Sequence, residues 1–170
     1  GLSIPKMGAS GFGYKIAQQF GLRVWPTTAG LVPFTFTDYF KDISERLSGV
    51  AIDAQVKTER KSFSEAILFT HRGLSGPAVL QASSYWQEGE SIKINLLPNI
   101  DIESELTSAK QSQAKVLLRN MLAKFLPRKL VIELEALWWS DLSEKPIGEI
   151  SDHQLKNIAQ SLIAWKLKPA

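Results

Sequence analysis

The stretch Val50-Ala51-Ile52-Asp53-Ala54-Gln55-Val56-Lys57 alternates, with Val50, Ile52, Ala54 and Val56 on one side and Asp53, Gln55 and Lys57 on the other. Period two over this length predicts a half-buried strand. Phe63–Thr70 reads as a second strand, and Ser91–Leu96 alternates again. Between them Ser75-Gly76-Pro77 opens a short helix running to about Trp86, with proline near the first helical position, where its missing N–H costs nothing. Upstream, Pro26 and Pro33 bracket an extended stretch, Leu31–Phe36. After Leu97-Pro98-Asn99 the period changes to 3.6. Ser112 is placed to cap a helix carrying Ala114, Leu118, Met121, Leu122 and Phe125, which Pro127 ends. Lys129–Trp139 is a further helical run. Ser151 caps a last helix with Leu155, Ile158, Ala159, Leu162 and Ile163 on one face. Segregated strands and helices predict an α+β fold: a small β-barrel-like subdomain with one inserted helix over 31–98, then a small all-helical subdomain over 99–170. Residues 1–30 form a Gly-rich loop (Gly1, Gly8, Gly11, Gly13) and a helix carrying Tyr14, Ile16, Ala17 and Phe20, stopped at Gly21.

Composition narrows the function. The 170 residues are 44% hydrophobic and 22% charged, ordinary for a globular chain that buries a core. No apolar window is long enough for a transmembrane helix. There are no cysteines, which removes disulfides, Fe–S clusters and thiolate metal sites, and with two histidines, His71 and His153, no metal site is expected. A net charge of +3 and a pI near 9.1 permit a polyanion partner without requiring one. The opening residues, Gly1-Leu2-Ser3-Ile4-Pro5, show no basic-then-apolar signal pattern, so a cytoplasmic location is expected. The helical pattern runs almost to Ala170, and the expectation is a piece of a larger protein.

Three segments are candidates for chemistry. Gly8-Ala9-Ser10-Gly11-Phe12-Gly13 runs into a helix and can turn backbone N–H groups toward an anion. No strand precedes it and no well-placed acid follows, so it is no autonomous dinucleotide fingerprint, and a flexible Gly-rich entry to a helix is the leading reading. Thr70-His71-Arg72-Gly73-Leu74-Ser75-Gly76-Pro77-Ala78 is the densest polar stretch and joins a strand to a helix. There His71 can donate a proton near neutral pH, Arg72 can clamp an anion or ring edge, and the N–H groups after Ser75 can point outward as an anion site. A capped turn whose His and Arg satisfy neighbouring carbonyls fits as well. From Leu106 to Ile132 there is no acid, while Lys110, Lys115, Arg119, Lys124, Arg128 and Lys129 supply positive charge. They either border the core and snorkel to water, or form a basic face tracking nucleic-acid phosphates. Asp101, Glu103 and Glu105 read as the first turn of a helix, where its dipole favours acids.

Several strings occur in family order: Gly1-Leu2-Ser3-Ile4-Pro5-Lys6-Met7-Gly8-Ala9-Ser10-Gly11-Phe12-Gly13-Tyr14, then Leu31-Val32-Pro33-Phe34, Leu47-Ser48-Gly49-Val50, Leu68-Phe69-Thr70-His71-Arg72-Gly73-Leu74-Ser75-Gly76-Pro77-Ala78, and Asn95-Leu96-Leu97-Pro98. Over nearly its whole length the chain resembles the middle of bacterial YhiN-type (BaiN-like) flavoproteins, which are NAD(P)/FAD-dependent oxidoreductases. The resemblance implies an insert domain, with residues 1–30 linking to an FAD-binding domain of the same polypeptide whose Gly-rich fingerprint this chain lacks. It further implies that Gly1, Ser3, Pro5 and Gly8 sit at the mouth of the flavin site. The turn with His71, Arg72, Gly73, Ser75 and Gly76 would face substrate, His71 serving protonation and Arg72 anchoring. The implied chemistry is hydride delivery from reduced FAD, with NAD(P)H as reductant, to an unsaturated ring or enone. The basic stretch adds the expectation of structured RNA, such as an rRNA pyrimidine, as substrate. This chain alone is expected to be inactive. The competing expectation is a non-catalytic binding module for nucleic acid or a protein partner, and a third is a dimerisation element.

Overall fold

Lys57 and Ser62 face one another across a tight turn in which the Thr58 hydroxyl donates to the Lys61 carbonyl (3.0 Å) and accepts from the Arg60 and Lys61 amides. This turn joins β2 (Ala51–Lys57) to β3 (Ser62–Thr70), the long central hairpin of a computed structural model that describes residues 5–170. Around it lie β1 (Phe34–Thr35), β4 (Gly73–Ser75), β5 (Ile92–Asn95) and β6 (Trp165–Leu167). They form one six-stranded antiparallel sheet in the order β1-β4-β3-β2-β5-β6. The backbone amide of Ala170, just past one edge strand, donates to the Thr35 carbonyl of the other (2.9 Å), curling the sheet toward a barrel.

Seven α-helices accompany the sheet among the described residues: α1 (Phe12–Gln19), α2 (Tyr39–Arg46), α3 (Pro77–Ser83), α4 (Ile102–Ser112), α5 (Leu118–Leu122), α6 (Arg128–Trp138) and α7 (Asp152–Ile163). The fold is α+β. Alternation decides which sheet face is covered: Ala54, Val56, Ile67, Phe69, Leu74 and Ile94 are fully or almost fully buried, while Asp53, Lys57, Ser62, Ser64 and Lys93 between them are exposed. That apolar face continues into Leu106, Leu118, Leu130, Leu134, Leu155 and Leu162 of the helices as one hydrophobic core. Phe40, Trp138 and Trp165 lock the junction with edge-on ring contacts, 5.1 Å for Phe40–Trp165 and 5.2 Å for Trp138–Trp165. No described helix is long and apolar enough to cross a membrane.

Several local expectations need correction. The barrel segment holds a second helix, α2, where Asp38 accepts from the Phe40 amide and Phe40, Ile43 and Leu47 form a buried stripe. Ser112 ends α4 and caps nothing; Asp101 is the cap, accepting from the Ser104 amide at 3.2 Å, and α5 begins only at Leu118. Residues 165–167, read as the end of the helical part, return to the sheet as β6. Ser151 does cap α7, in a reciprocal box with Gln154.

Candidate functional site

The chemistry-bearing string folds as a hairpin tip. Thr70 and Gly73 pair across it, and Phe69 pairs with Leu74. The Thr70 hydroxyl donates to the Gly73 carbonyl (3.1 Å), and the Arg72 carbonyl accepts from the Phe36 amide (3.1 Å). The backbone is therefore held from both flanks while His71 and Arg72 stand exposed side by side. Gly73 is buried at φ +146°, and a Cβ there would run into the Phe34 carbonyl oxygen and the Phe36 ring. Gly76, at φ +95°, passes so close to β3 that a Cβ would lie 2.7 Å from the Ala66 carbonyl oxygen. Ser75 is half-buried. These glycines let three backbones approach one another. By contrast, neither the His71 nor the Arg72 side chain makes a hydrogen bond or ion pair among the described residues, the Arg72 amide alone donating to the Thr70 hydroxyl (3.4 Å), so the reading in which these side chains satisfy neighbouring carbonyls finds no support. Of the N–H groups expected to point outward after Ser75, Pro77 supplies none and those of Ala78 and Val79 belong to wholly buried residues, while Gly76 is half-exposed.

The basic stretch is dispersed by the fold. Lys110 pairs with Asp152 (2.7 Å), and Arg119 bridges Glu135 (3.1 Å) and Glu144 (2.8 Å). The hydrogen bonds that Arg119 donates to Glu144 and then to Glu135 hold its guanidinium above its ordinary pKa. Lys124 donates to the Gln113 side chain at 3.1 Å. Lys115, Arg128 and Lys129 are exposed with no acidic partner among the described residues. The expected single basic face therefore divides into three residues engaged by their neighbours and three open to solvent. The partners Glu135, Glu144 and Asp152 come from later in the chain, so a local window could not show them.

Toward the N-terminus, α1 forms and Gly21 takes φ +69°, but the helix buries no side chain. Phe12 is 67% exposed, Phe20 76% and Trp25 66%, with Met7, Leu22 and Leu31 also exposed. The Arg23 guanidinium lies over the Trp25 ring at 3.8 Å. Of the apolar positions read for this helix, Ile16 and Phe20 stand exposed. Of the residues expected at a flavin mouth, Gly1 and Ser3 lie outside the described residues, Pro5 opens a 3-10 turn to Met7, and Gly8, at φ +83°, has open space where a Cβ would be. A flavin's rings need enclosing walls, and the described part of this segment supplies no buried surface for them. No group of three metal-ligating side chains gathers among the described residues.

Sequence reasoning passed over Lys57, Lys93 and Lys166, which strand register places directly opposite one another. The signal was present only as a lysine at the polar position of each alternating run; register between strands is not written in any one of them.

Residues 28–170 match the family described as HI0933-like protein barrel and H2TH domain. Among curated proteins, the chain is 45% identical over 170 residues to the ribosomal RNA dihydrouridine synthase of Escherichia coli (strain K12). It is 44% identical over 172 residues to the ribosomal RNA dihydrouridine synthase of Haemophilus influenzae. Each match covers 99% of this chain and 42% of the relative, so the chain spans less than half the length of either. With a half-barrel sheet joined to a helical part by one core, and a family match over most of its length, the chain belongs to the HI0933-like barrel and H2TH domain family.

Proposed function

We propose that this chain is the substrate-side insert of a larger YhiN-type FAD-dependent oxidoreductase that reduces a uridine of ribosomal RNA to dihydrouridine. The observation that carries the reading is the likeness at 45% and 44% identity, over 99% of the chain, to two proteins named for that activity. Saturating the pyrimidine C5–C6 bond requires a hydride and a proton; FAD, reduced by NAD(P)H, supplies the hydride when bound. Since the described residues do not enclose a flavin, the cofactor's walls come from the remainder of the larger protein. The exposed apolar segment from Met7 to Leu31 is the seat for that flavin domain, with Gly1, Ser3, Pro5 and Gly8 at its margin.

The hairpin tip is the substrate-side element. His71 offers an imidazole N–H as proton donor to the substrate ring, and Arg72 offers a fork of donors to a phosphate or a ring carbonyl. Gly73, Ser75 and Gly76 act on substrate through the turn they shape. Lys115, Arg128 and Lys129 meet RNA phosphates, while Lys110, Arg119 and Lys124 serve the fold. Within the insert we assign residues 1–30 to the link, 31–98 to the barrel and 99–170 to the helical subdomain whose last strand returns to the barrel. The reaction places the protein in the cytoplasm, with its RNA.

The test uses the full-length protein. Cells lacking its gene should lose a dihydrouridine from rRNA, read by mass spectrometry of nuclease digests. The wild-type gene should restore it, and the His71→Ala gene should restore at most about a hundredth of the rate. Unchanged rRNA in the deletion strain, together with a purified protein that carries no flavin absorbance, would replace this reading with that of a non-catalytic binding module.

A further inference from the structure

Lys57 of β2 lies opposite Lys93 of β5, and Lys93 lies opposite Lys166 of β6. All three are exposed, and none has an ion-pair partner among the described residues. Their neighbours in register, Val56, Ile94 and Trp165, are buried, so a slip by one residue would bury lysines in place of the core. The row is therefore held by the fold. Like charges directly opposite across strands repel, so the sheet carries it against its own stability.

Strands about 4.8 Å apart set the three ammonium stems along roughly 10 Å. The next rung, Gln55 opposite Asn95, is polar. These lysines line an open groove of about 670 Å³ together with Glu59, Glu88 and Glu90. Glu90 is engaged by Arg60 (3.1 Å) and by the Gln87 amide (2.9 Å), leaving Glu59 and Glu88 against three lysines, with Lys168 exposed two residues beyond Lys166. The row and the polar rung beside it hold no aromatic or apolar anchor of the kind that dominates a protein–protein hot spot. A regular line of ammonium groups beside a polar rung suits a chain of phosphates and sugars.

We propose that Lys57, Lys93 and Lys166 form a contact for an RNA phosphate backbone, apart from the hairpin tip. His71 follows the far end of β3 from Ser62, the residue facing Lys57, so the row lies roughly 25–30 Å from the tip along the strand. A contact at that distance holds structured RNA by a segment flanking the reacting base. The proposal rests on the ribosomal RNA reading above and adds to it a place where the RNA is gripped.

The experiment measures binding of the full-length protein to transcribed ribosomal RNA over a series of salt concentrations. Replacing all three lysines by glutamine should flatten the log–log salt dependence by about 2 to 3 and weaken binding about 10- to 100-fold at moderate salt. The Lys→Arg triple should keep the wild-type slope, and Glu59→Gln with Glu88→Gln should tighten binding. The glutamine triple should melt no lower than wild type, since it relieves repulsion. A wild-type protein that binds with marked salt dependence while the glutamine triple keeps the same slope overturns this proposal and leaves the rRNA reading standing. A wild-type protein with no salt-dependent binding overturns both. A glutamine triple that binds RNA normally but is no longer retained on polyglutamate assigns the row to an acidic protein and also overturns the proposal.

Discussion

Gly73 and His71 are two residues apart and answer to different constraints. At Gly73 any side chain would collide with the Phe34 carbonyl and the Phe36 ring at φ +146°. Gly73→Ala should therefore cost about 3 kcal/mol, through backbone strain and overpacking together, seen as a lower urea midpoint. His71→Ala, at an exposed tip, should leave stability within about 0.5 kcal/mol and act on turnover alone. If both variants lost stability equally, the tip would be a structural corner. Asp101 gives a pH-dependent case. Its carboxylate accepts from the Ser104 hydroxyl (2.8 Å) and amide (3.2 Å), and these bonds, the hydroxyl's first, hold its pKa below the ordinary aspartate value near 4. Between the folded and unfolded values the unfolded chain binds more protons, so this contribution is complete above the ordinary value and is lost as pH falls through the folded one. Asp101→Asn should accordingly flatten the fall of the melting temperature below about pH 4; an unchanged profile would show that Asp101 contributes nothing to it.

At the scale of elements, α7 carries its start signal in its own residues: Ser151 accepts from the Gln154 amide (3.2 Å) and the Gln154 side chain accepts from the Ser151 amide (3.1 Å). Ser151→Ala should cost about 1 kcal/mol, read by thermal unfolding, whereas Ser112→Ala, at the end of α4, should cost less. Signals of this kind explain what was legible. Val50–Val56 shows a strand because burial alternates along it, and Leu155–Ile163 shows a helix because one face is apolar. The elements that escaped are short or take their stability from elsewhere. β4 has three residues and begins with a glycine, β6 has three and follows a helical pattern, and α2 is a two-turn helix whose Asp38 cap and Phe40–Ile43–Leu47 stripe were readable but brief. In the candidate site, the composition of the His71–Arg72 tip was legible. That Gly73 serves packing was not, because it depends on Phe34 and Phe36, far away in sequence. Arg119 shows the same limit: an arginine in an acid-free window pairs with Glu135 and Glu144 only once α5 meets both α6 and the segment after it.

At the scale of the molecule, the sheet and the helical part share one core, and Trp165 is where they are joined. It is 4% exposed, wedged between Phe40 and Trp138, and its indole N–H has no acceptor among the described residues. Trp165→Ala should cost about 3–5 kcal/mol in denaturant unfolding. Trp165→Phe should recover most of that loss, because it keeps ring contacts and removes the unpaired donor. A phenylalanine variant as unstable as the alanine one would mean that shape alone decides.

The bond from the Ala170 amide to the Thr35 carbonyl has a mechanical corollary. The chain enters the sheet at β1 and runs out of it past β6 through the same doorway, so the two crossings form a single neck. A structure grafted to both sides of that neck would feel one swivel rather than two anchors. The body could pivot as a unit while the spacing between its two points of attachment stayed constant, and a crosslink across the neck would leave that pivoting free.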